Sequence, residues 1–378
     1  MKEVKRLLQS EVESRLKPGK AVLLFGARRV GKTILAKHVV NGYQGRHIFL
    51  NGEDADTQAV LMNRSITNYR NMFGGVGLLV IDEAQQVPEI GKVIKLIVDE
   101  VDGISVLATG SSSFDLLKQA GEPLVGRASQ LYLTPFSQQE IVQNETPLET
   151  RQNLPTRLIY GYYPEVVALD NNREREEYLR DLVSSYLLKD ILAIDGLRSA
   201  AKMQRLLQLV AYQVGSEVSL DELGRQLSMS RDTVDKYLDL LSKVFIIYKL
   251  GPFSRNLRKE ISKAGKWYFA DNGIRNAVIG NFQPVDTRND MGELWENYVI
   301  SEKFKGNHNH LSYRNFYFWR TYDQQEVDLV EEDAGALHAF ELKWGKKNPK
   351  VPKAFAEGYP DAEFHVVNPN NYLEFIGI

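Results

Sequence analysis

At 378 residues, the chain is long enough for two or three domains that each bury their own core. With 43% hydrophobic and 25% charged residues it has an ordinary globular composition, and a formal net charge of -2 excludes a global attraction to nucleic acid, leaving that role to local patches. Cysteine is absent, which excludes disulfides, thiolate catalysis and cysteine-based zinc sites.

Met1 to Lys20 is polar and charged, without the apolar core of a signal peptide. No later segment approaches the ~20 apolar residues of a membrane span, so a cytoplasmic location with no membrane partner is expected. Between Glu3 and Leu16, apolar residues at Val4, Leu7, Leu8, Val12 and Leu16 predict a helix. The run Ala21-Val22-Leu23-Leu24-Phe25 then leads into GARRVGKT, Gly26 to Thr33, and a helical stretch from Ile34. Strand, glycine loop and helix start meet there in the G-x-x-x-x-G-K-[ST] pattern, whose backbone N–H groups turn inward around phosphate oxygens at the positive end of a helix. Gly26, Ala27, Arg28, Arg29, Val30, Gly31, Lys32, Thr33 and Ile34 are therefore the candidates for binding ATP. Lys32 is placed to reach the β and γ phosphates and Thr33 to ligate Mg²⁺.

Arg46 to Asn51 reads as a strand, and two continuous apolar runs follow, Gly77 to Ile81 and Ile104 to Thr109. Continuous rather than alternating runs are expected of buried parallel strands, with ligands beyond their carboxyl ends. The first ends in Asp82-Glu83, placing Asp82 to hold the metal through its water and Glu83 to orient or deprotonate the attacking water. The second leads to Gly110-Ser111-Ser112, where Thr109 or Ser111 is placed to sense the phosphate. Val93 to Val101 reads as the intervening helix, and Gln130 to Leu133 as a closing strand. Arg127 stands either near the nucleotide or in a surface salt bridge.

GARRVGKT, LLVIDEAQ and LATGSSS resemble the signatures of the prokaryotic AAA-type P-loop ATPases, near the archaeal-ATPase and signal-transduction ATPase branches. Farther along, Gly161-Tyr162-Tyr163-Pro164-Glu165-Val166, Leu188-Lys189-Asp190-Ile191, the segment Phe253 to Lys259 and Gly292 to Asn297 resemble the domain of unknown function 4143 that follows those ATPases. The resemblance implies an α/β P-loop sheet with helices on both faces, then a helical winged-helix-like domain and an α+β restriction-endonuclease-like domain. It also implies an ATPase in which Arg127 acts near the γ phosphate. The expected divisions are 1–140, 141–202, 203–285 and 286–378.

Ile141 to Pro155 is polar and reads as a surface connection. Glu174 to Ile194 and Met203 to Val214 carry apolar residues at helical period. Ser219 to Lys243 has helix-turn-helix character, with Ser230 as an N-cap, and Val244 to Leu250 with Trp267 to Ala270 reads as a small wing hairpin. Arg231, Lys236 and Lys243 are cancelled by Asp232, Asp235 and Asp239, which favours a structural or protein contact over base reading. The loop Ser254 to Lys266 instead carries Arg255, Arg258, Lys259, Lys263 and Lys266 against Glu260. It is either a DNA or RNA backbone contact or a solvated loop.

The last third has a helical stretch from Gly292 to Phe304, then strands at Phe316 to Trp319, Glu326 to Val330 and Leu337 to Leu342. Alternation puts Glu326 and Asp328 on one face and Glu341 and Lys343 on one face of the next strand, brought together by the turn at Asp333-Ala334-Gly335. Asp328 and Glu341 are candidate ligands for Mg²⁺ or Mn²⁺, Glu296 for a metal-bound water, and Lys343 for lowering the water's pKa. The spacing resembles the PD-(D/E)xK nuclease core, with Val327 where a proline usually stands. The bland alternative is a surface cross-strand pair. Lys346, Lys347, Lys350 and Lys353 follow and favour a polyanion nearby. Three readings of the whole remain: an ATPase driving a nucleic-acid-directed module, an ATP-dependent switch whose carboxy-terminal regions only bind nucleic acid, protein or a second copy, or a partner-recruiting ATPase with no nucleic-acid role.

Overall fold

Ala21 to Phe25 are each at most 1% exposed, which a strand achieves only where both faces of its sheet are covered. The computed structural model describes residues 3–111, 124–187, 200–254, 265–345 and 349–378. These fall into two compact units, Glu3–Phe136 with Lys243–Phe245, and Ser137–Ser242 with Ile246–Ile378. The first unit holds a five-stranded parallel sheet of order β2-β3-β4-β1-β5, built from β1 (Lys20–Phe25), β2 (His47–Asn51), β3 (Leu78–Asp82), β4 (Ser105–Gly110) and β5 (Ala128–Tyr132). Helices α1 (Gln9–Arg15), α2 (Lys32–Gly42), α3 (Ala55–Met62), α4 (Ile66–Phe73) and α5 (Ile90–Glu100) flank it.

Leu23, Phe25, Leu79, Ile81, Val106 and Ala108 pack with Leu61, Tyr69, Phe73, Ile90, Val93 and Ile97 in one core. The alternate set, Val22, Leu24, Val80 and Leu107, is equally buried, and α1 and α2 contact β1, β3 and β4 outside that core. Each fully buried aliphatic side chain contributes roughly 1.5–3 kcal/mol. The first helix is shorter than its periodicity predicts. Before Gln9 the chain is held by the buried Arg6, whose guanidinium donates to Val30 O at 2.9 Å and Thr134 O at 2.6 Å.

In the second unit, the polar stretch expected as a surface connection starts a helix, Pro147–Tyr160. Thr146 and Glu149 cap it reciprocally, and Pro147 takes the first turn, where its missing N–H costs nothing. Glu145 accepts from Thr150, Asn153 and Arg157, so these polar groups satisfy one another rather than water. The helix ends at Gly161, with φ of 70°, where a Cβ would stand 2.0 Å from Asp271 Oδ1. The space belongs to the Asp271 carboxylate, which accepts from the N–H groups of Tyr162, Gly273 and Ile274.

The long helix expected from Glu174 is described as Asn172–Asp181 followed by a π-helical turn, Leu182–Leu187. Leu188 to Ile191 and Ile194 lie outside the described residues. Helices Leu220–Leu227 and Arg231–Lys243 are capped by Ser219 and Ser230 and bury Leu223, Leu227, Val234, Leu238 and Leu241.

The hairpin of β6 (Ile247–Pro252) and β7 (Lys266–Phe269) is not an isolated wing. β6 also pairs in parallel with β8 (Asn315–Arg320), at Gly251 with Tyr317 and Pro252 with Phe318. With β9 (Glu326–Asp333), β10 (Ala336–Leu342) and β11 (Glu363–Val367) this makes one mixed sheet of order β11-β10-β9-β8-β6-β7. A boundary at 285 therefore crosses a continuous hydrogen-bonded sheet. Among the described residues, no helix is long and apolar enough to cross a membrane.

Candidate functional site

The loops after β1, β2, β3 and β4 all leave the carboxyl edge of the parallel sheet, where open α/β sheets take ligands. Gly26 passes so close to Leu133 that a Cβ would stand 2.1 Å from its carbonyl oxygen, so no side chain fits. Lys32, 5% exposed, donates from Nζ to Gly26 O and Ala27 O at 2.9 Å each, holding the ammonium inside the loop. Arg29 takes a positive φ of 66° and Ile34 is exposed.

Thr33 Oγ1 donates to Asp82 Oδ2 at 2.8 Å, and Thr109 Oγ1 donates to Asp82 Oδ1 while accepting from Glu83 N at 3.1 Å. Thr109, fully buried, thereby ties the Asp82 carboxylate to the backbone of Glu83. Glu83 sits in the left-handed region, φ 48°, a strained conformation for this residue type that places its carboxyl at the sheet edge. Gly52 makes room for that turn: its N–H donates to Asp82 O at 2.7 Å, and a Cβ would lie 2.5 Å from Glu83 O. Gln85, which sequence reasoning passed over, donates from Nε2 to Glu83 Oε2 and to Ser111 Oγ at 3.3 Å.

Arg127 requires a correction. It immediately precedes β5, and Ala128 pairs with Ala21, at the amino edge of the sheet opposite the glycine loop. Its Nε donates to Asp99 at 2.6 Å. Within its own chain it forms a salt bridge and does not reach the loop.

The donor set fits a nucleoside triphosphate with a hard divalent cation. The glycine loop has no room for side chains at its start, Lys32 supplies a buried cation, and Thr33 and Asp82 present paired oxygens. Gln85 Oε1 is buried with no hydrogen-bond partner among the described residues, an unused acceptor beside Glu83.

The second constellation lies on the mixed sheet. Asp328 Oδ2 accepts from Leu342 N at 2.8 Å and stands 3.3 Å from Lys343 Nζ, which also meets Glu341 Oε1 at 2.7 Å. The strands thus bring Asp328, Glu341 and Lys343 together. Glu296, from the helix Met291–His310, accepts from Tyr268 OH at 2.6 Å. Among the described residues no third carboxylate joins Asp328 and Glu341 at ligand spacing. Burial and then the charge of Asp328 raise the Glu341 carboxyl. The same causes, in that order, raise Glu296 to about 7. Glu341 Oε2 is buried with no hydrogen-bond partner among the described residues, an open oxygen that suits a cation.

Lys266, expected as a loop cation, is instead 1% exposed in β7, paired with Glu326 and 3.6 Å from Glu296 Oε1. Burial opposes its charge, and Glu296 and Glu326 restore it, raising its pKa overall. No local signal marked this role. Arg255, Arg258, Lys259 and Lys263 lie outside the described residues, as do Ser112, Lys346 and Lys347, while Lys350 and Lys353 are exposed.

The strand order, the glycine loop and the Thr33–Asp82 pair define the first unit as an AAA-type P-loop ATPase module. Residues 18–142 match the family model described as an AAA domain. Residues 291–376 match Domain of unknown function (DUF4143), and 151–285 match Domain of unknown function (DUF8612). Gly161 to Val166 and Phe253 to Lys259 fall in the latter match, not in DUF4143.

An uncharacterized protein of Mycobacterium tuberculosis is 26% identical, covering 93% of this chain and 77% of its own length. One of Methanocaldococcus jannaschii is 24% identical, covering 79% and 69%. Among solved structures, the Thermotoga maritima RuvB Holliday junction branch migration motor is 17% identical, covers 64% of this chain and 86% of its own, and has a TM-score of 0.31. A Pyrococcus horikoshii STAND protein with a tetratricopeptide repeat sensor is 12% identical, covers 80% and 45%, and has a TM-score of 0.29. Superpositions this loose carry no functional argument.

Proposed function

We propose that the protein is a cytoplasmic ATPase that hydrolyses ATP with Mg²⁺ and couples this cycle to a nucleic-acid-directed carboxy-terminal module. The observation that carries the first half is the part-buried Thr33–Asp82–Thr109–Glu83 network at the edge where Lys32 closes the glycine loop. Lys32 would leave its loop carbonyls for the β and γ phosphates, Thr33 and Asp82 would hold the cation, and Glu83, steadied by Gln85, would orient the attacking water. The bound cation would neutralise charge on the phosphate oxygens. We expect Lys32→Ala to abolish binding of a fluorescent ATP analogue, and Glu83→Gln to keep binding while phosphate release falls at least tenfold. Unchanged affinity in Lys32→Ala would sink the assignment.

For the second half, the support is the convergence of Asp328, Glu341 and Lys343 with an unpartnered Glu341 oxygen, an arrangement suited to a divalent cation and phosphodiester hydrolysis. A second reading, a binding scaffold regulated by ATP, is favoured by Lys266 and Lys343, which already neutralise part of the acid cluster. Incubation with DNA or RNA and Mn²⁺, with and without ATP, separates the two. Cleavage lost in Asp328→Ala supports the nuclease, and retention of nucleic acid without cleavage supports the scaffold.

A further inference from the structure

Away from both sites, β10 and β11 run in parallel with His338 opposite Glu363 and Phe340 opposite His365. Residues two apart on a strand share a face, so His338, Glu363 and His365 project together. His338 Nδ1 lies 3.1 Å and His365 Nε2 lies 3.3 Å from the same Glu363 Oε2, and each of the three residues offers a ligand atom within 4.8 Å of those of the other two. From these we propose that His338, Glu363 and His365 form a binding site for a divalent transition metal of the zinc class. It is independent of the ATPase and acid-cluster readings.

The spacing matches the ion. Tetrahedral zinc with bonds of about 2.0–2.1 Å separates its ligand atoms by about 3.3–3.4 Å, so the two imidazole-to-carboxylate distances need almost no adjustment. The donors match as well: two imidazoles and one carboxylate suit zinc, nickel or copper, whereas magnesium and calcium take oxygen sets. His365 stacks on Phe340, with centroids 5.6 Å apart, which fixes the plane of its ring.

His338 and His365 line a cavity of about 420 Å³ whose wall also includes Lys303, Arg314 and Phe375. Its two cations do not oppose a metal. Lys303 pairs with Glu331 at 2.8 Å, and Arg314 pairs with Glu331 at 2.6 Å and Asp333 at 3.1 Å. Three protein ligands beside an open cavity leave a coordination position for a further ligand, as in sites that bind a water or a small anion rather than closed structural sites.

The test is a zinc titration of the full chain in excess Mg²⁺, which fills the hard-oxygen sites, followed by gel filtration and elemental analysis. Wild type should retain one zinc per chain. H338A/H365A should lose it, with affinity down at least tenfold, while Asp328→Ala and Lys32→Ala keep it. The single variant Glu363→Gln, on an exposed edge strand, repeats the test if the double variant fails to fold, as judged by circular dichroism. Cobalt in place of zinc should give a visible spectrum that H338A/H365A lacks. Wild type that retains no zinc, or retention unchanged by these substitutions, overturns the proposal.

Discussion

A lysine held between carboxylates at 1% exposure has no water to share its charge with, so Lys266 depends on Glu296 and Glu326. Removing one partner of such a buried pair leaves an uncompensated charge, whereas removing a partner at the surface leaves a solvated one. Arg127 is the surface case, more than a third exposed beside Asp99 at the amino edge of its sheet. Arg127→Ala should therefore leave the unfolding midpoint and ATP affinity at wild-type values, measured by thermal melts and nucleotide titration. A turnover rate that falls in Arg127→Ala only at high protein concentration would show instead that the arginine acts on a neighbouring copy.

At the start of the helix Met291–His310, Asp290 joins two elements of one unit. Its carboxylate accepts from Arg275 Nη1 at 2.5 Å and from Arg288 Nε and Nη2 at 2.8 Å. Burial alone would raise this carboxyl, but hydrogen bonds from Arg288 and the charge of Arg275 lower it to about 2. A depressed carboxyl stabilises the fold above its unfolded pKa, and the contribution is lost as pH falls from about 4 to about 2. Allowing for solvent screening, it is worth about 1 to 2 kcal/mol. Asp290→Asn should lower stability by at least that much at neutral pH in urea melts, with the difference from wild type closing near pH 2. A gap that persists at pH 2 would assign the effect to packing instead.

What the chain discloses before folding is of this local kind. The runs ending in Phe25, Asp82 and Thr109 announce buried strands because each is continuous, and the glycine loop is written in eight consecutive residues. Thr146 and Glu149 also spell a capping box, but the surrounding polarity hid the helix they begin. Lys266 and Glu326 meet because β6 lies beside β8, and His338 and His365 meet because β10 and β11 run parallel. No periodicity along the chain encodes those neighbours.

Across the molecule, the two candidate sites belong to separate compact units. Substitutions at independent sites leave one another's binding nearly unchanged. Asp328→Ala should abolish Mn²⁺ binding at the acid cluster by calorimetry while keeping nucleotide affinity within about twofold, and Lys32→Ala should do the reverse. Loss of ATP binding in Asp328→Ala would show that the units are coupled already at the level of binding.

The mixed sheet also bears on how such a chain can change by descent. The stretches 151–285 and 291–376 match two different families, which suggests two modules free to be exchanged by recombination near residue 288. Yet β6 and β8 share a ladder across that point, and Lys266 and Arg275 on one side find their counter-charges in Glu326 and Asp290 on the other. A crossover there would hand each daughter chain a severed sheet and buried cations without partners. The two stretches should therefore be inherited together, and a chimera joining them from distant relatives should refold only when both come from one parent.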